Sequence, residues 1–148
     1  MKCTYTKTTL EELRRRCGAN SMAIVTGRPR SDCAKFLKLH GINHLFDVSV
    51  CMEDGPPKPD PFPVARACEL LKVRPSKAVI MVGDTPDDIS AAVECGCRGV
   101  GVVTPGDAIL AEKEGKFFDS GELAVSMKKC GADIIMKPGF DELLDIFH

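Results

Sequence analysis

The chain has 148 residues, 28% of them charged, and a formal net charge of −1. That length suits one domain, able to bury roughly 70% of its unfolded surface, and the balanced charge offers no field that would attract nucleic acid or an acidic membrane. No apolar run approaches the ~20 residues of a membrane span, and the opening Met1-Lys2-Cys3-Thr4-Tyr5-Thr6-Lys7 lacks the apolar stretch of a signal peptide, so a cytoplasmic protein is expected.

Short β-branched runs alternate with amphipathic segments, the pattern of a parallel α/β sheet. Thr9-Leu10-Glu11-Glu12 reads as a capping box opening a helix that ends near Gly18. Met22 to Val25 reads as a strand, and Ser31 as the cap of a helix running to His40 and stopped by Gly41. Phe46 to Cys51 is a second strand. A stiff loop, Glu53-Asp54-Gly55-Pro56-Pro57-Lys58-Pro59-Asp60, precedes a helix capped by Asp60, with Pro61 at its first position and its end near Lys72.

Ala78 to Val82 is wholly apolar and is expected to be a central strand covered on both faces. The turn from Asp84 to Asp88 opens a helix closed by Gly96, and Gly99 to Val103 is the next strand. Residues Asp107 to Lys129 hold one or two helices around Gly115 and Gly121. Ala132 to Met136 is a last strand and Phe140 to Phe147 a last helix. The Cys3-Thr4-Tyr5-Thr6 run alternates and is a candidate extra strand. Eight cysteines form no Cys-x-x-Cys pair, and the close pair Cys95 and Cys97 has no histidine at zinc-ligand spacing. They read as small buried hydrophobes in a reducing compartment.

Three places carry chemistry. Gly83-Asp84-Thr85-Pro86-Asp87-Asp88 follows an apolar strand and opens a helix, at the carboxyl end of the sheet where open α/β folds bind ligands. Asp84 and Asp88, four apart, can face one side of a turn and suit a hard divalent cation that keeps water. Acidic residues at a helix start also simply complement the dipole, the reading preferred for Asp87. Thr26-Gly27-Arg28-Pro29 ends a strand, and a threonine hydroxyl with the next N–H makes a small anion cup. Arg28 and Arg30 are placed to reach a substrate anion. Lys58, set among prolines, holds its amine in a definite direction.

The three segments Val25-Thr26-Gly27-Arg28-Pro29-Arg30-Ser31-Asp32, Met52 to Pro61, and Gly83 to Asp88 together resemble the second, third and fourth motifs of the haloacid dehalogenase superfamily. The likeness extends from about Thr8 to His148. It implies a three-layer αβα Rossmann-like parallel sheet and an Mg²⁺-dependent phosphohydrolase core acting on a small phosphorylated metabolite. By that resemblance Thr26, Gly27, Arg28 and Lys58 bind the phosphoryl group, Thr26 and Lys58 serving catalysis. Asp84 would bind Mg²⁺, with Asp88 acting from outside the ion's immediate ligands or through a water.

One departure limits this. The family's first motif, Asp-x-Asp after an apolar strand, supplies nucleophile and general acid, yet no Asp-x-Asp pair occurs in the chain. In that family the strand is also the middle of the sheet, between the strands ending at Thr26 and Gly83. The expectation is therefore a single core domain over 1–148, the carboxyl-terminal portion of a longer protein, with residues 1–18 a remnant of a cap or linker helix. The sheet would have a gap, to be filled by a complementing N-terminal segment or by self-association. Only residues 27–57 separate Thr26 from Lys58, so no cap domain fits there and the substrate stays unnamed. The alternatives are a non-catalytic phosphate or metal-binding module and a receiver-like signalling domain. The latter is prompted by Lys137-Pro138 and opposed by the order of the motifs.

Overall fold

Among the described residues five strands form two parallel sheets rather than one. The computed structural model describes residues 7–103, 120–136 and 141–147. Helix α1 (Lys7–Cys17) leads to β1 (Ala23–Val25), α2 (Arg30–Leu39) and β2 (Val48–Val50); then come α3 (Phe62–Leu71), β3 (Ile80–Gly83), α4 (Pro86–Glu94) and β4 (Arg98–Val102). Helix α5 (Ser120–Lys129) and β5 (Ile134–Met136) follow, with a 3₁₀ turn over Asp141–Asp145. Strand β1 pairs with β2, in register Ala23 to Val48, and β3, β4 and β5 pair in that order. Among the described residues no ladder joins β1 to β3. This is an α/β fold of the expected three layers, with the incomplete sheet of a partial domain.

Apolar side chains leave the strands on both faces. Ile24, Ile80, Val82, Val100 and Met136 meet Leu10 and Leu13 of α1, Leu37 of α2 and Leu143. On the opposite face Val79 and Met81 meet Val64 and Cys68 of α3 and Ala91 and Ala92 of α4. Ile89 and Met127 bring α4 and α5 together over Ile135. Gly101 permits this approach, because a Cβ there would lie 2.7 Å from Ile135 Cδ1 and 2.9 Å from Met127 Sδ.

Several expectations are corrected. Thr9 lies inside α1, buried, and Glu12 reaches Arg15 and Arg16, so the box read there is no cap. Ser31 caps nothing; α2 begins at Arg30 behind Pro29. Pro61, not Asp60, is the N-cap residue of α3, although Asp60 Oδ1 accepts the Phe62 N–H at 2.8 Å from one residue further back. The last helix is only the 3₁₀ turn at Asp141–Asp145.

The apolar segment expected at the sheet centre, β3, is paired on one side only, and Ile80 to Val82 are half-buried. Strand β4 takes the interior position, with Val100 fully buried. Apolarity marks what covers a strand, not which neighbours it pairs with. The candidate strand at 3–6, residues 107–119 and Lys137-Pro138 lie outside the described residues. The described cysteines are all free thiols, with Cys33, Cys51, Cys68 and Cys97 buried. No helix among the described residues is long and apolar enough to cross a membrane.

Candidate functional site

The carboxyl ends of β1 and β3 open into one pocket of about 490 Å³, lined by Thr26, Gly27, Lys58, Asp84, Asp87 and Asp88 among others. Helix α4 starts at its floor. Thr85 caps that helix, its Oγ1 accepting the Asp88 N–H at 3.3 Å, and Asp88 answers by accepting the Thr85 N–H at 3.2 Å. Thr85-Pro86-Asp87-Asp88 is thus a capping box, a signal present in the sequence and missed there.

Asp88 is 6% exposed and is the one buried charged side chain among the described residues. Its burial is offset on both oxygens. Oδ2 accepts the Asp84 N–H at 3.1 Å as well as that of Thr85, and Oδ1 meets Lys58 Nζ at 2.5 Å. A buried carboxylate needs this full set, because a missing partner would leave it uncompensated. Gly83 makes the arrangement possible: a Cβ there would lie 2.2 Å from Asp88 Cβ.

Lys58 arrives from the proline loop, across a cis bond to Pro59. Its side chain is 15% exposed, and Nζ also donates to the Val25 carbonyl at 3.2 Å. The loop therefore does aim the amine, and into the pocket. Thr26 Oγ1 accepts the Arg28 N–H at 3.2 Å, which turns the chain and leaves the hydroxyl hydrogen free to donate. Gly27 is exposed and has nothing within 4 Å of a built Cβ, so space does not require glycine there.

The arginines behave differently from expectation. Arg28 is exposed and is not among the residues lining the pocket. Arg30 is committed elsewhere: its guanidinium pairs with Asp54 and donates to the Ser49 carbonyl at 3.2 Å, while its backbone N–H meets Glu53. The Asp54 carboxyl is held below its usual range, first by the Cys51 N–H and then by Arg30. That cluster fixes the loop after β2 and leaves Arg30 no role at the pocket.

For a divalent cation the donor set is narrow. No group of three or more His, Cys, Asp or Glu side chains capable of holding a metal occurs among the described residues. Asp88 has both oxygens engaged, and Asp84 lines the pocket half-buried at the end of β3. The fit is to a hard cation that takes one protein carboxylate and keeps most of its water.

The fold thus brings Thr26, Lys58, Asp84 and Asp88 together at the carboxyl ends of β1 and β3. The profile of the haloacid dehalogenase-like hydrolases matches residues 2–102, and the chain belongs to that family. It is 44% identical over 137 residues to an imidazoleglycerol-phosphate dehydratase of Phytophthora nicotianae, covering 93% of this chain and 29% of that protein. It is 40% identical over 116 residues to a putative pyrophosphatase PpaX of Caldanaerobacter subterraneus, covering 75% and 52%. A crystal structure of a predicted phosphoglycolate phosphatase from Haemophilus somnus superposes with TM-score 0.74 at 29% identity, covering 96% of this chain and 55% of that one. The chain spans about half the length, or less, of these relatives.

Proposed function

We propose that this chain is the phosphate-binding and Mg²⁺-binding part of a phosphohydrolase core for a small phosphorylated metabolite, without turnover of its own. The supporting observation is the charge inside the pocket: three carboxylates, Asp84, Asp87 and Asp88, face one ammonium, Lys58. A phosphate dianion entering that space meets net negative charge, so its binding requires a divalent cation. Asp84 would hold the cation through one oxygen, and Asp88 would position Lys58 and the water around the cation. When bound, the cation supplies charge neutralisation at the phosphoryl oxygens.

Thr26 donates its hydroxyl hydrogen to a phosphoryl oxygen, assisted by the Gly27 N–H, and Lys58 contributes its remaining ammonium hydrogen. Arg28, exposed beside the pocket, would meet the substrate from the rim. The relatives' names fit a small phosphorylated molecule, phosphoglycolate among them. The dehydratase name is not carried over, since the match covers 29% of that protein. The reading without turnover rests on the chain's lack of an Asp-x-Asp pair, and Asp88 has both oxygens engaged by Lys58 and two N–H groups. A phosphate- or metal-binding module that never formed part of an enzyme is the second reading.

Calorimetric titration with inorganic phosphate tests the proposal. Phosphate is expected to bind with Mg²⁺ and at least tenfold more weakly without it. Asp84→Asn should abolish the Mg²⁺ dependence, and Lys58→Met should weaken phosphate while sparing Mg²⁺. Equal phosphate affinity with and without Mg²⁺ would overturn the assignment of Asp84. Turnover of an aryl phosphate by the chain, lost in Asp84→Ala, would overturn the absence of catalysis.

A further inference from the structure

The turn after β1 and the loop after β2 run side by side beyond the ends of their strands. The Thr26 N–H donates to Val50 O at 2.9 Å, and the Met52 N–H donates to Arg28 O at 2.9 Å. At the next step the contact passes from backbone to side chain: both carboxylate oxygens of Glu53 accept the Arg30 N–H, at 3.0 and 3.1 Å. Arg30 is the first residue of α2, and Pro29 before it makes no side-chain cap bond. Glu53 therefore caps α2 from another segment of the chain. It places a carboxylate at the positive end of the helix, on an amide with no partner inside the helix.

This cap stands at the root of the loop that carries Lys58. Asp54 closes the loop on itself by accepting the Cys51 N–H at 2.7 Å, and the Arg30 guanidinium grips the same carboxylate. Beyond it Gly55 lies under the Phe62 ring, where a Cβ would come 2.4 Å from Cε1. Pro56 and Pro57 before Lys58, and Pro59 after it, restrict the backbone on both sides. The far end is tied by the Asp60 N–H to Pro57 O at 3.0 Å and by the Phe62 N–H to Asp60 Oδ1. A segment this stiff has little play with which to absorb a shift at its root. Thr26 lies on the other side of the same contact, its Oγ1 accepting the Arg28 N–H.

We propose that Glu53 is a positioning residue for the phosphate pocket: by joining the first amide of α2 to the Lys58 loop, it sets the Lys58 ammonium against the Thr26 hydroxyl. Neither Glu53 nor Arg30 lines the pocket, so Glu53 acts through the backbone it holds and not by touching the ligand. The proposal rests on the assignment of Thr26 and Lys58 to phosphate. Its sign separates it from electrostatics. Deleting a carboxylate near an anion site strengthens anion binding through the field, whereas deleting a positioning bond weakens it. A cap with a purely local role would lower the melting temperature and leave Lys58 and the phosphate affinity of the folded chain as they were.

The full chain is compared with its Glu53→Ala and Glu53→Gln variants at a temperature where circular dichroism shows each of them folded. Acetylation by acetic anhydride, mapped by mass spectrometry against the exposed Lys72 and Lys129, reads the hold on Lys58 without any ligand. Lys58 is expected to react about tenfold faster in Glu53→Ala, as the loop opens, and at the unaltered rate in Glu53→Gln, whose amide oxygen still accepts the Arg30 N–H. In calorimetry with Mg²⁺ present, Glu53→Ala is expected to bind inorganic phosphate about tenfold more weakly with Mg²⁺ affinity unchanged, and Glu53→Gln as tightly as the parent chain or more so. Unchanged Lys58 acetylation in Glu53→Ala, or undiminished phosphate affinity, would overturn the proposal. So would Glu53→Gln behaving like Glu53→Ala, which would assign the effect to charge. A parent chain that binds no phosphate sinks the phosphate assignment instead, and the acetylation ratio alone then decides whether Glu53 positions Lys58. Should Glu53→Ala not fold, Glu53→Asp, one methylene short of the Arg30 N–H, takes its place.

Discussion

Gly83→Ala is the sharpest perturbation of the site, because the obstacle is an atom that cannot rotate away. The added methyl would lie 2.2 Å from Asp88 Cβ and 2.6 Å from Asp88 Oδ2. A change of rotamer moves the carboxylate but not Cβ, which is fixed by the α4 backbone, so the first turn of α4 must shift. The Oδ2 bonds to the Asp84 and Thr85 N–H groups, at 3.1 and 3.2 Å, are then strained or lost together with the Lys58 contact. Hydrogen bonds to a charged group contribute about 1.5–3 kcal/mol each and overpacking about 1–3 kcal/mol, so partial relaxation leaves a loss of roughly 3 kcal/mol. For a chain of this size that lowers the melting temperature by about 6–12 °C. Urea and thermal unfolding followed by circular dichroism measure it. A loss below about 1 kcal/mol would mean that α4 yields cheaply, and would refute the claim that Gly83 sets the position of Asp88.

Asp47 and Cys68 extend the reasoning away from the pocket. The Arg14 guanidinium, followed by the Met22 and Ser21 N–H groups, pulls the Asp47 carboxyl from 3.8 to about 2. A depressed carboxyl stabilises the fold fully above its unfolded value and loses that contribution as pH falls toward 2. Asp47→Asn should therefore lower stability by about 1 kcal/mol at pH 6, with the difference shrinking when urea midpoints are compared at pH 4 and pH 3; a constant difference would count against the Arg14 pairing. Burial, with help from the Cys97 thiol beside it, pushes the Cys68 thiol up to about 12. Iodoacetamide at pH 8 should leave Cys68 unmodified in the folded chain and alkylate it in urea, as mapped by mass spectrometry. Labelling of the folded chain at the rate of a free thiol would show that this core opens readily.

Much of the site was legible because its signals are local. Thr26, Lys58, Asp84 and Asp88 were recognised from short segments, and the structure brings all four to one pocket. What those residues do to one another was not legible. Lys58 meets Asp88 across a long stretch of intervening chain, and Asp88, expected as a metal ligand, has its oxygens occupied by Lys58 and two N–H groups. Arg30 was a candidate for substrate until the loop after β2 folded back and presented Glu53 and Asp54 to it. Thr9-Leu10-Glu11-Glu12 has the spelling of a cap, yet the helix already runs through it.

The sequence by itself determined the alternation of strands and helices, the chemistry at the strand ends and the absence of an Asp-x-Asp pair. Those depend on periodicity and on residues adjacent in the chain. Tertiary structure alone decided that β4 and not β3 is interior, that Lys58 meets Asp88 and the Val25 carbonyl, and that β1 and β3 face each other across an apolar groove. Pairing joins segments far apart in sequence, and an apolar run has the same pattern whether its edge is paired or open.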